Sequence, residues 1–274
     1  MRERGKEIMI SDSKLNVKLL CHTPDPEYTV ALAARTCYSD CTIDSMDEDV
    51  EPRKEKILER ILTSGHHSPL EHASFTFAVE GVSRALLAQI TRHRIASFSV
   101  QSQRYVANEE GMDYVLPPSI ARLGVDAEKE FEHQMSHIHS LYCGWMKRGI
   151  PAEDARFLLP NAASTRIVFT MNARELRHFL ALRCCNRAQW EIRQLAWAML
   201  GILRKRAPIL FGDAGAGCFN GTCPEGKHSC GMWFVVQALS HVLNEFLERG
   251  ITDEEIVEWA IRNIGEDTGV KHGN

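Results

Sequence analysis

Residues 92–105 read RHRIASFSVQSQRY: Arg92, His93 and Arg94, then Ser102, Arg104 and Tyr105, with no acidic side chain between them. An arginine guanidinium grips phosphate through a planar fork of N–H donors whose geometry lysine cannot match. A serine hydroxyl with neighbouring backbone amides can complete such an oxyanion cradle. Gly81 to Ala107 holds four arginines and no Asp or Glu, and a second arginine-rich zone runs from Arg148 to Arg206. Much of the acid lies instead in residues 40–60 and 245–266. With a formal net charge of −4, this pattern argues against broad nucleic-acid binding and predicts a local anion site in a neutral-to-acidic body. An isolated Arg-His-Arg triplet is more often a solvated edge; the Ser, Arg and Tyr that follow it favour a binding site.

Other groups read less sharply. Cys184 and Cys185 adjoin Arg183, where a cation can activate a thiol, but their apolar neighbours favour buried core thiols. Cys218, Cys223, His228 and Cys230 offer a tetrahedral zinc set, yet lack tight Cys-x-x-Cys pairs, so a loop without metal is favoured. His133 and His137, with His139 nearby, lack the Glu of a zinc-protease motif and read as a solvated helix face. The glycines of GDAGAG (212–217) have the wrong spacing for a dinucleotide fingerprint.

The elements that must position these residues follow from periodicity. Residues 17–21, 74–80 and 164–171 read as strands, the last two by alternation of Phe75, Phe77, Val79 and of Ile167, Phe169, Met171. Helices are expected over 27–37, 51–64, 83–91, 126–148, 151–159, 172–185 and 189–206, with two more closing the chain. Pro52 suits a first helical turn, Gly65 an end, and Asn172 with Glu175 a capping box. Without regular βαβ alternation, the fold class expected is α+β: a twisted, mainly antiparallel sheet flanked by helices. The chain of 274 residues is 44% hydrophobic and 25% charged, ordinary for a globular protein. No apolar run reaches the roughly 18 residues of a membrane span. The start, MRERGKEIMISDSK, lacks the apolar core of a secretory signal. Nine cysteines, an odd count in a long chain, fit reduced thiols in a cytoplasm.

The opening stretch resembles the signature of the flavin-dependent thymidylate synthases: Arg-His-Arg, seven residues, Ser, then x-Arg-Tyr. GHHSPLEH (65–72), Gln89, ARFLLP (155–160), NAREL (172–176), LALR (180–183) and AQWEIR (188–193) extend the resemblance, in order and spacing, over roughly residues 17–211. The resemblance implies reductive methylation of dUMP to dTMP, with 5,10-methylenetetrahydrofolate giving the carbon, NADPH the reducing equivalents and FAD carrying the hydride. It implies a homotetramer with sites between subunits, and no nucleic-acid or membrane partner. Residues 1–211 would form the catalytic domain and 212–274 a Cys/Gly-rich loop with a helical extension.

By the same resemblance, His66, Ser68, Arg92, His93, Arg94, Asn172, Arg174 and His178 match flavin positions. Gln89, Arg92, Gln101, Ser102, Gln103, Arg104, Arg156 and Arg183 are assigned to dUMP. Arg183 matches the arginine that polarises the uracil, which would activate the base without a cysteine nucleophile. A guanidinium there would stabilise charge developing on the pyrimidine. His178 stands where other members often have Asn, and Val100 where many have Glu or Gln; either Gln101 takes over that role or the backbone alone serves. Two rivals remain: a flavoprotein reductase lacking methyl transfer, to which Val100 lends slight support, and a non-enzymatic nucleotide- or RNA-binding module.

Overall fold

Strands form where apolar residues alternate, and their order decides what stands beside what. In the computed structural model, which describes residues 12–106 and 111–264, an open four-stranded antiparallel sheet runs β1 (Asn16–His22), β2 (Ser74–Ser83), β4 (Ser164–Asn172), β3 (Ala96–Val100) in spatial order. With its surrounding helices this is the α+β architecture expected. Phe75, Phe77 and Val79 of β2 are buried, as are Ile167, Phe169 and Met171 of β4, so both alternations point inward. β3 lies inside the signature and is absent from the sequence reading. Ser97 and Ser99 interrupt its five residues, and only Phe98 and Val100 give it an apolar side.

The helices are α1 (Pro26–Thr36), α2 (Ile43–Val50), α3 (Lys54–Ser64), α4 (Arg84–Ile90), α5 (Pro118–Ala121), α6 (Val125–Lys147), α7 (Ala152–Ala155), α8 (Ala173–Arg183), α9 (Trp190–Arg206), α10 (Pro208–Phe211), α11 (Trp233–Glu248) and α12 (Asp253–Ile264). Two boundaries depart from expectation, and one helix is added to it. Residues 51–53 wind as a 3-10 turn ahead of α3, where Pro52 cannot donate. The helix expected over 151–159 breaks into α7 and a 3-10 turn at Arg156–Leu158. α2, capped by the Thr42 hydroxyl, adds a helix that its acidic sequence does not advertise. Gly65 ends α3 at φ 73, the left-handed conformation glycine adopts freely.

The chain divides into two compact units. The first holds the described part of Met1–Asn16 with Val79–Arg92 and Phe98–Val168. Its core gathers Met112, Tyr114, Met135 and Ala163, against which Phe131 and Ile138 of α6 pack. His133 and His137 are exposed, as a solvated face requires, but His139 is fully buried beside Cys143 and Tyr142, which corrects that reading for the third histidine. The periodicity explains it: His139 lies four residues after Met135, on the face α6 buries.

The second unit holds Val17–Ala78, His93–Ser97 and the described part of Phe169–Asn274. α9 is its axis, buried continuously from Glu191 to Arg204 and packed on α8, α10, α11 and α12. Trp197 meets Trp259 at 6.1 Å between ring centroids. Two arginines inside this core donate to backbone carbonyls. Arg193 donates to the carbonyls of Asn186 and Ile264 at 2.8 and 3.0 Å. Arg204 donates to the carbonyls of Phe211 and Ala214 and to the side chains of Ser240 and Asn244, and burial pushes its pKa down to about 10.

Candidate active site

α8 starts where β4 ends because Asn172 caps it: the side-chain oxygen accepts from the Glu175 amide at 2.9 Å. A full capping box would turn the Glu175 carboxylate back onto the cap. Here only half the box forms, because Glu175 Oε1 lies 2.8 Å from His93 Nδ1 instead. The other imidazole nitrogen, Nε2, accepts from Arg183 Nε at 3.2 Å. A nitrogen that accepts carries no proton, so Nδ1 holds it and donates to Glu175. Burial lowers the His93 pKa, Glu175 raises it, and the Arg183 and His178 charges lower it. Burial outweighs the rest, so the ring stays neutral at pH 7, as an acceptor must.

The result is a directed chain, Arg183 to His93 to Glu175, linking one end of α8 to its first turn through the signature histidine. His93 is further walled by Phe179, edge-on at 5.0 Å, and by His178 at 5.9 Å. His93, Glu175 and His178 also bring ligand atoms within 4.8 Å of one another. Both His93 nitrogens are already engaged, one by a guanidinium, so a cation entering there would meet like charge.

A cleft of about 650 Å³ opens beside this chain, lined by Glu71, Ile95, Asn172, Arg174, His178 and the turn 213–217, among others. It brings together Asn172, Arg174 and His178 of the expected flavin set. Arg174 is half exposed and pairs with Glu71 at 2.5 Å. Arg177 grips Asp213 with both terminal nitrogens, at 2.5 and 2.9 Å, and so holds that turn to α8. Residues 213–217 of the GDAGAG stretch therefore line a cleft even though its glycine spacing is no nucleotide fingerprint. His66 lies elsewhere in the same unit, in a cleft of about 210 Å³ with Arg35, Tyr38 and Arg60. Its ring nitrogens are bridged by Tyr38 Oη and Ser68 Oγ, each at 3.2 Å. Arg92 and Arg94 flank His93 and are exposed.

Most of the residues expected at the nucleotide belong to the first unit. Arg104 Nε pairs with the Glu153 carboxylate at 2.8 Å, and Arg156 Nε donates to the Glu153 carbonyl at 3.0 Å. Ser102 Oγ accepts from the Arg104 amide at 3.2 Å, so it orders the turn after β3. Gln101 fixes that turn through its backbone, donating to Arg166 and accepting from Arg84 Nη2 at 2.8 Å. Gln103 is half-buried in the same turn, and Gln89 on α4 is half-buried as well. The unit boundary falls within the signature: Arg92 closes one segment and His93 opens the next.

Sequence reasoning missed Glu175 as the partner of His93, and Arg84. The pKa of Arg84 is lowered by burial and then by the Arg156 charge. The signal for Arg84 was its place among the acid-free arginines of 81–107; for Glu175 it was the cap spacing alone. The cysteines beside Arg183 fit no nucleophile. Cys184 is wholly buried and Cys185 half-buried, and burial pushes both thiols up, away from the thiolate.

An α+β fold here sets Arg183 against a buried neutral imidazole, beside a cleft that carries Arg174 and Arg177 together with Glu71, Glu175 and Asp213. A sequence model of the family described as thymidylate synthase complementing protein matches residues 18–209. The chain is 52% identical over 219 residues to a flavin-dependent thymidylate synthase of Geobacter sulfurreducens, covering 79% of this chain and 94% of that protein. It is 47% identical over 244 residues to the enzyme of that name from Clostridium tetani, covering 83% and 96%. For the Pyrococcus horikoshii enzyme of that name the identity is 46% over 222 residues, covering 77% and 90%. The chain belongs to the flavin-dependent thymidylate synthase family, and it is an enzyme. The non-enzymatic binding module is thereby set aside.

Proposed function

We propose that the protein methylates dUMP to dTMP, drawing the carbon from 5,10-methylenetetrahydrofolate and the reducing equivalents from NADPH through FAD. The observation that carries this reading is the Arg183–His93–Glu175 chain in a member of this family. FAD, when bound, supplies hydride transfer. Its fit rests on the donor set of the larger cleft: Arg174 offers a guanidinium to a diphosphate, while Asn172 and His178 offer further hydrogen-bonding groups. Arg92, His93, Arg94, His66 and Ser68 complete the proposed flavin set.

The chemistry assigned to this chain is positioning and electrostatics. Glu175 holds the His93 proton at Nδ1, and His93 Nε2 then fixes the plane of the Arg183 guanidinium. A cation so oriented lowers the energy of a pyrimidine whose carbonyl oxygens gain negative charge. Because the imidazole is neutral, it does not compete with Arg183 for that charge. Gln89, Arg92, Gln101, Ser102, Gln103, Arg104 and Arg156 are proposed to hold dUMP, its phosphate falling to the arginines. Residues 1–211 are proposed as the catalytic domain and 212–274 as an extension, which the matched span of 18–209 supports. We further propose a cytoplasmic homotetramer with sites between subunits; among the described residues no helix is long and apolar enough to cross a membrane.

The test is dTMP formation by the purified protein from dUMP, methylenetetrahydrofolate and NADPH, with the flavin absorption band followed in parallel. Arg183→Ala should cut dTMP formation by about a hundredfold or more while flavin stays bound. Arg183→Lys should also fail substantially, since an ammonium lacks the planar fork. A flavin-bearing protein that oxidises NADPH yet makes no dTMP would instead be the reductase that Val100 raises.

A further inference from the structure

Four cysteines in the second unit take no part in the Arg183 chain: Cys185, two residues beyond Arg183, and Cys218, Cys223 and Cys230 in the loop between α10 and α11. Read along the sequence, the loop cysteines lack a fourth thiol, and His228 is the nearest substitute. The fold supplies another. The Gly217 amide donates to the Ala181 carbonyl at 3.3 Å, and Ala181 stands about one helical turn before Cys185, so Cys218 arrives beside Cys185. A Cβ on Gly217 would sit 2.8 Å from Pro224 Cγ, so the two limbs of the loop abut where Cys218 and Cys223 branch. Arg187 Nη1 donates to the His228 carbonyl at 2.7 Å, which fastens the limb leading to Cys230 onto the turn after Cys185. That turn is closed by the Ala188 amide on the Cys185 carbonyl at 2.9 Å.

The four side chains lie near enough to interact: Cys185 with Cys223 and Cys230, and Cys218 with Cys185, Cys223 and Cys230. His228 is exposed, and its contact here is through its carbonyl.

We propose that Cys185, Cys218, Cys223 and Cys230 bind a zinc ion through four thiolates, pinning the Gly- and Cys-rich loop to the C-terminal end of α8. Sulfur-only tetrahedral ligation selects zinc among the common divalent ions. Binding releases the thiol protons, and the dication turns a mutually unfavourable set of sulfurs into a favourable one. Among the described residues, the ligand atoms gathered within 4.8 Å are those of His93, Glu175 and His178, so the four sulfurs must close further around the ion. Residues 224–229 are exposed, so that movement disturbs no core side chain.

The experiment is metal analysis of the full chain purified without chelator from zinc-supplemented cells. One zinc per chain is expected, falling toward none in Cys223→Ser and Cys230→Ser and unchanged in His228→Ala and Cys21→Ser. Cobalt substitution should give the visible bands of a tetrahedral thiolate site. Should the serine variants fail to fold, a mercurial titration of the wild type must release zinc in step with the loss of four protected thiols. Absence of stoichiometric zinc, iron in its place, or loss of zinc in His228→Ala would overturn the proposal. The readout is independent of dTMP formation, so failure of the catalytic reading leaves it standing.

Discussion

At the scale of single residues, His93 couples site geometry to proton binding. Its folded pKa lies below the 6.5 of an exposed histidine, chiefly through burial. Below that value the unfolded chain takes up the proton more readily than the folded one. Stability from this group is therefore whole above about pH 6.5 and drains away as the pH falls toward the folded value. Urea unfolding at a series of pH values between about 5 and about 7 should show a steeper acid loss for the wild type than for His93→Asn. Equal slopes would mean that His93 is not held neutral. Glu175→Gln keeps the shape but removes the charged acceptor, so dTMP formation should fall about ten- to a hundredfold. Flavin content should persist in that variant, because the effect runs through the orientation of Arg183.

Elements are set by their ends. Asn172 does double duty in its position: it caps α8 and borders the larger cleft. Asn172→Ala should cost about 1 kcal/mol of unfolding free energy, the usual loss of an N-cap, while Asn172→Asp or Ser should restore most of it. Unchanged stability in the alanine variant would show that the cap hydrogen bond contributes nothing. Gly81 in β2 makes a sharper case, since its φ is 72 and a Cβ there would collide with the Lys14 carbonyl. Gly81→Ala should therefore destabilise the first unit by well over the ~1 kcal/mol of an ordinary glycine replacement. Thermal melts of the two variants would rank them, and a milder effect at Gly81 would contradict the close approach.

For the molecule as a whole, the buried α9 arginines decide how the C-terminal helices are held in the second unit. Arg204 donates to segments at 211, 214, 240 and 244, so residues far apart in sequence meet on one guanidinium. Arg204→Met fills the space but leaves those acceptors without their donor, and should cost about 3 kcal/mol or more. Hydrogen exchange would locate the loss in α9 and α11; a stable variant with unchanged exchange would remove Arg204 from this role. Light scattering on the intact protein tests the proposed tetramer.

Much of this protein was legible in its residues, because alternation and helical period report which face must leave water. They marked β2, β4, α8 and α9, the Asn172 cap and the Gly65 stop, and the α+β class. The signature spacing and its companion motifs likewise carried the family, since fixed spacings between arginines, serine and histidine seldom arise together by chance. The rest depended on contacts between segments distant in the chain. No local pattern says that Glu175 turns from its cap to His93 across 82 positions, or that β3 forms from a serine-rich stretch. Nor does it reveal that the Gly217 amide reaches the Ala181 carbonyl, the contact behind the proposed grouping of Cys185 with the loop thiols. Burial is a property of the neighbours a residue finds, so the neutral state of His93 and the aim of Arg183 were decided only when the chain had folded.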